Sequence, residues 1–149
     1  MTLAPPALVK STLIRVRYAE TDQMGVAYYA NFLIWFEQAR TEYLHALGWP
    51  YRQAEERGFY LPVVEVKCRY KAPARYDDLL RIDSRIADYT AIRITMGYQV
   101  CHHESGRLLA EGQTVHVWTD RDLKILTMPE DLRTLLIERT KEASHGQEV

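Results

Sequence analysis

Cysteine is scarce: the chain of 149 residues has two, Cys68 and Cys101. A disulfide framework and a zinc ribbon are thereby excluded, and two isolated cysteines read as small buried hydrophobes. An excess of either charge is missing too, with 19 Lys plus Arg against 20 Asp plus Glu and a formal net charge of -1. A near-neutral chain lacks the phosphate-neutralising surface of a general nucleic-acid binder, although a small basic patch for one phosphorylated ligand stays open. No apolar run approaches the ~18 residues of a membrane span. The densest, Ala27 to Phe36, is interrupted by Asn31. No basic segment precedes Pro5-Pro6, so the N-terminus does not read as a signal peptide. The expectation is a soluble cytoplasmic protein with no nucleic-acid partner and no stable membrane insertion.

Several catalytic signatures are absent as well. No Ser or Cys sits in a Gly-x-Ser-x-Gly elbow, and no glycine-rich phosphate loop occurs. His102 and His103 are adjacent in a strand pattern, so their side chains face opposite ways and cannot chelate one ion. His45, His116 and His145 stand apart. No metal and no cofactor are expected.

What is present is a chain that is 47% hydrophobic and rich in aromatics, with ten Tyr, three Trp and three Phe. A domain of this length buries roughly 70% of its unfolded surface and folds without staples. One domain is expected over residues 11–137, with 1–10 and 138–149 as flexible termini. Ser11 to Tyr18 alternates as a short strand. Phe32, Phe36, Ala39, Tyr43 and Leu47 then repeat at helical spacing, with Leu33, Ile34 and Trp35 widening the stripe. Gly48 and Pro50 stop that helix, and Tyr51 to Arg57 forms a short one. Four strand patterns follow: Val64 to Tyr70, Leu80 to Ile86, Ile92 to Val100 and Leu109 to Thr119. Glu104-Ser105-Gly106 makes a hairpin turn, and a helical turn follows Pro129. This order predicts an α+β fold: an antiparallel sheet of about five strands against one long helix, with short connections joining antiparallel neighbours. Such a sheet leaves open edges, which subunit pairing hides; a homodimer or homotetramer is expected.

The most informative stretch joins the first strand to the long helix: Tyr18-Ala-Glu-Thr-Asp22-Gln-Met-Gly25-Val-Ala-Tyr-Tyr29-Ala-Asn31. Asp22 precedes an apolar helix N-terminus whose free amides suit an oxyanion or a polarised carbonyl. A carboxylate beside them attacks a carbonyl or activates a water; alternatively it only caps the helix or a turn. Gly25 lets the backbone approach a ligand closely. Glu65, on a strand face with Lys67 and Arg69, is either an exposed ion pair or an alternative base.

This stretch, followed by Trp35-Phe36-Glu37-Gln38-Ala39-Arg40, resembles the 4-hydroxybenzoyl-CoA thioesterase family of hotdog-fold acyl-CoA thioesterases, and most of all its Tol–Pal-associated branch. Tyr70-Lys-Ala-Pro-Ala-Arg-Tyr-Asp-Asp78 and Glu111-Gly112 agree with it, and the resemblance spans about residues 12–137. It implies a hotdog fold, a sheet wrapped around a central helix, and active sites at a dimer interface. It implies hydrolysis of acyl-CoA to free acid and CoA, with Asp22 as nucleophile or general base. Gly25 matches the family glycine. The main-chain amide at Tyr29, where relatives carry Tyr or His, would polarise the thioester carbonyl. Val26, Tyr28 and Val63 would line the acyl pocket. Some relatives hold the CoA phosphates with consecutive basic residues after the third strand; here that turn reads Asp88-Tyr-Thr-Ala-Ile92. Lys71 and Arg75 then become the phosphate candidates, or else a solvated turn. A non-catalytic acyl-CoA or acyl-carrier binding module is the alternative. A dehydratase is disfavoured, because no His precedes His45.

Overall fold

The computed structural model describes residues 3–147. Its elements are β1 (Lys10–Arg15), α1 (Asn31–Leu47), α2 (Tyr51–Glu56), β2 (Val63–Tyr70), β3 (Leu79–Tyr89), β4 (Arg93–His102), β5 (Leu108–Val117) and α3 (Glu130–Gln147). The five strands form one antiparallel sheet in the order β1-β3-β4-β5-β2. The α+β expectation holds, with α1 laid across the sheet.

The helical stripe is the reason. Phe32, Trp35, Phe36, Ala39, Tyr43, Leu44 and Leu47 are all buried, and they meet the alternating inward residues Leu80, Ile82, Ile86, Ile94, Met96, Tyr98 and Val100. Phe36 stacks on Tyr98 with ring centroids 4.3 Å apart. That approach requires Gly112, where a Cβ would fall 2.5 Å from the Lys67 carbonyl oxygen and 2.8 Å from the Phe36 ring. A side chain there would force strand and helix apart.

Three details depart from the sequence reading. First, β2 does not neighbour β3. Its partner is β5, with Glu65 opposite Val115 and Tyr70 opposite Ala110. The connection 71–78 is no hairpin but crosses the end of the sheet. Lys71 and Ala72 donate to the Leu109 carbonyl, and the Ala74 carbonyl accepts from Ala27. Second, the segment before β1 docks. Leu3 donates to the Tyr89 carbonyl at 2.7 Å, Pro6 is buried, and Leu3 and Leu8 pack on the core. Third, the turn after Pro129 continues as α3 to Gln147. Past Ile137 the sequence carries no apolar periodicity by which a helix would register. Leu132 and Leu136 anchor it, and Asp131 in its first turn accepts from Trp49 Nε1 at 3.1 Å and Arg57 Nη1 at 2.9 Å. None of the described helices is long and apolar enough to cross a membrane.

Candidate active site

The loop from β1 to α1 is fixed from inside by one buried carboxylate. A 3-10 turn at Tyr18–Glu20 swings the Glu20 side chain inward. Its Oε1 accepts from the Arg17 amide at 2.8 Å and its Oε2 from Trp35 Nε1 at 3.0 Å. Its main-chain carbonyl accepts from the Tyr28 amide and from Asn31 Nδ2, both at 2.8 Å. Burial pushes the Glu20 carboxyl up, but the Arg17 amide, the Trp35 indole and the Arg17 charge outweigh it and hold the group below its ordinary value. Sequence reasoning passed over Glu20. The available signal was its position three residues after Arg17, the spacing at which an acidic side chain reaches back to a cap amide.

Outside that frame the chain turns at Asp22. Asp22 Oδ1 accepts from the Met24 amide at 2.8 Å, the Gly25 amide donates to the Asp22 carbonyl, and the Asp22 amide donates to the Val26 carbonyl. Gly25 closes the turn at φ +76, with open space where a Cβ would lie. Its positive φ is a conformation that favours glycine, and the space beside it is free of protein atoms. One Asp22 oxygen is committed to the turn. The other has no partner among the described residues, and the side chain is partly exposed.

The start of α1 is open as well. Its N-cap, Ala30, has no side chain to cap with. Among the described residues no acceptor lies within hydrogen-bonding reach of the Tyr29 and Ala30 amides. The Tyr29 carbonyl, by contrast, is taken by the Tyr70 hydroxyl at 2.8 Å. Burial, with Cys68 and Tyr29 adding to it, pushes the Tyr70 phenol well above its ordinary range, so it stays a donor. The Tyr70 ring also stands edge-on to Tyr29 and Phe32, with centroids 6.4 and 5.1 Å away. These groups border a cleft of about 370 Å³ lined by Asp22, Val26, Tyr29, Phe32, Tyr70 and Lys71, with residues 72–74 behind.

Of the residues singled out from sequence, Asp22, Val26, Tyr29 and Lys71 therefore share one cleft. Gly25 shapes its rim. Tyr28 is exposed and packs on Tyr29 at 4.6 Å without lining the cleft. Its phenol is raised, first by its hydrogen bond to the Tyr29 side chain and least by the charge of Asp22. Arg75 bridges Val26 through its backbone, and its amide donates to Asp78 Oδ2 at 2.8 Å. Lys71 also lies 3.8 Å from Glu111. Val63 is not with them; it lines a separate pocket at the other end of β2. Glu65 lies 3.4 Å from Lys67 in an exposed ion pair. Tyr70 and Phe32 were missed, because Tyr70 reads as one more alternating strand residue until β2 is seated beside the helix.

The cleft is lined by Asp22, which has one uncommitted oxygen, and by Tyr29, whose amide stands uncommitted with that of Ala30 at the start of α1. In general, free amides polarise a bound carbonyl and a carboxylate close by acts as base or nucleophile. Known proteins share the architecture. YneP of Bacillus subtilis is 37% identical over 109 residues, 73% of this chain and 78% of that one. The acyl-CoA thioester hydrolase YbgC of Escherichia coli is 33% identical over 109 residues, 72% of this chain and 79% of that one. A DHNA-CoA thioesterase structure from Staphylococcus aureus superimposes with a TM-score of 0.86 at 29% identity, covering 93% of this chain and 95% of its own. A profile of the thioesterase-like superfamily matches residues 16–136, and with fold, loop and relatives in agreement the chain belongs to that superfamily of hotdog thioesterases.

Proposed function

We propose that the protein hydrolyses acyl-CoA thioesters to a free acid and CoA, with Asp22 as nucleophile or general base. The observation that carries this reading is the cleft lined by Asp22 and Tyr29, with one Asp22 oxygen uncommitted and the Tyr29 amide uncommitted at the open start of α1. As a base, Asp22 takes a proton from water. The hydroxide adds to the thioester carbonyl carbon, the oxyanion rests on the Tyr29 amide, and the C–S bond breaks as the proton passes to the CoA sulfur. As a nucleophile, Asp22 adds to that carbon itself, expels the thiolate and leaves a mixed anhydride that water cleaves. Both routes need a carboxylate at this place. Val26, Phe32 and the Tyr29 ring receive the start of the acyl group, and Gly25 sets the turn that aims Asp22. Lys71 and Arg75, at the cleft mouth and beside it, are the phosphate-holding candidates.

The relatives' names support the substrate class, since YbgC is an acyl-CoA thioester hydrolase. The reading also includes a homo-oligomer, because the edge strand β2 buries none of its residues and exposes Val63, Val64, Val66 and Tyr70, an edge that soluble chains cover. The test is release of free thiol from a panel of acyl-CoAs by the purified chain and by Asp22→Asn. Turnover by the parent and its loss in the variant, with binding retained, is expected. Binding without turnover in the parent identifies the non-catalytic module instead.

A further inference from the structure

The loop that carries Asp22 is clasped at both ends by one short segment. At its start, the Val16 amide donates to the Asp78 carbonyl at 2.9 Å, and the Val16 carbonyl accepts from the Asp77 amide at 3.0 Å. At its end, Val26 bridges Arg75 through the backbone, and the Ala27 amide donates to the Ala74 carbonyl at 2.7 Å. The Val26 carbonyl in turn accepts from the Asp22 amide at 2.9 Å. Residues 74–78 are thus the seat on which both feet of the Asp22 loop rest.

That seat is not a relaxed one. Asp77 has φ +69, one of two non-glycine residues in the left-handed region among the described residues. Such a backbone persists only while its neighbours over-determine it. Asp78 supplies much of that determination. Its amide donates to the Arg75 carbonyl at 3.1 Å, and its Oδ2 accepts from the Arg75 amide at 2.8 Å. Backbone and side chain of one residue therefore close the same turn.

The other Asp78 oxygen, Oδ1, lies 3.7 Å from Nε2 of His102 on β4, with both side chains 27% exposed. The direction of that ring is determined. His102 Nδ1 lies 3.3 Å from the Ser105 amide, which only donates, so Nδ1 accepts and the proton of the neutral ring is on Nε2. A donor anchored in the sheet thereby stands behind the carboxylate that closes the seat. At 3.7 Å it is an electrostatic brace and not a hydrogen bond. Asp78 itself does not line the cleft; it reaches Asp22 only through the backbone.

We propose that Asp78 is a positioning residue for Asp22: its carboxylate, held between the Arg75 amide and the His102 ring, locks residues 75–78 in the shape on which Val26 seats the Asp22 turn. The effect on turnover rests on the thioesterase reading; the bracing of the loop does not.

The test compares Asp78→Ala, Asp78→Asn and His102→Leu in the full chain. Two measurements are made: thiol release from the acyl-CoA that the parent turns over fastest, and amide hydrogen exchange. Asp78→Ala should lower kcat by about tenfold with KM nearly unchanged, because the ground-state contacts to substrate are kept. Asp78→Asn keeps an acceptor for the Arg75 amide and should recover most of that loss. His102→Leu removes the brace alone and should lower kcat by about threefold. In an Asp22→Asn background none of the three should lower kcat further, since nothing is left to position. Exchange of the Val16, Asp22 and Ala27 amides should quicken by about tenfold in Asp78→Ala, with the β3 and β4 amides unchanged. An unchanged kcat, an equal loss in both backgrounds, or quickened exchange spread through β3 and β4 overturns the proposal. If Asp78→Ala does not fold, His102→Leu decides it by the same measurements. Absence of thiol release from the parent refutes the thioesterase reading, and the exchange result then decides the bracing alone.

Discussion

Glu20 and Asp22 stand two residues apart in one loop, yet their carboxylates meet opposite surroundings. Both oxygens of Glu20 are bound, to the Arg17 amide and the Trp35 indole, in the interior. Asp22 lines the cleft, with one oxygen bound within its own turn and the other without a partner among the described residues. The same division separates the interior beneath α1 from the cleft mouth. Thr114, His116 and Tyr98 have closed partnerships, while the Tyr29 and Ala30 amides have none. Residue type does not distinguish frame from chemistry here. Hydrogen-bond capacity left over after folding does, because a group already saturated has nothing to offer a transition state.

Exchanging the insults should expose the difference. Asp22→Asn is expected to lower kcat by about 10³ or more, since it removes the activating group, with little change in melting temperature. Glu20→Ala should do the reverse, costing about 3 kcal/mol of stability by orphaning a buried indole and amide, while the folded fraction keeps turning over. Denaturant titration alongside thiol release checks both, and a stable, inactive Glu20→Ala would dissolve the contrast.

The interior should also betray itself through pH. Burial, and after it the charge of Arg40, push the folded pKa of His116 down to about 4 from an ordinary 6.5. Below pH 6.5 the unfolded chain takes up a proton that the folded chain refuses, so stability falls with pH down to about 4, by up to about 3 kcal/mol. A His116→Gln variant should have a flatter acid limb in that window. Glu20 acts lower: its depressed carboxyl keeps its stabilisation above the ordinary 4.5 and loses it as pH drops further.

Tyr70 tests the border between the two regions, since its hydroxyl belongs to the frame but touches the turn that presents the Tyr29 amide. Tyr70→Phe keeps the ring and should cut kcat by about tenfold with KM nearly constant, as expected when an interaction serves only the transition state. The smallest effect belongs to Lys71→Ala, with KM raised about threefold, kcat intact, and the difference fading in salt. An unchanged KM returns Lys71 to its exposed neighbour Glu111.

Much of this was legible in the order of residues. The helical stripe from Phe32 to Leu47 and the strand alternation of β3, β4 and β5 give element type and inward face directly, because period and burial are one signal. The Asp22-to-Asn31 loop carried its own pattern. Illegible were the features that depend on what lies across the sheet. β2 pairs with β5 and not with its successor β3, so Val63 and Tyr70 fall at opposite ends of one edge and line different pockets. Glu20, Arg40 and His116 each look like ordinary polar residues until Trp35 and Thr114 stand beside them.

The strand order has a bearing on how the enzyme is made. Residues 22–29 leave the ribosome early and Tyr70 soon after, but β2 is seated on β5, Tyr70 against Ala110 and Val63 against His116. A growing chain that has reached Gly106 already holds every residue of the cleft and has no strand on which to hang the one that completes it. Pairings that span such sequence distance close late, after local helices have formed. On the proposed function, turnover during synthesis is thus expected to begin with the closing of the sheet and not with the appearance of residues 22–29.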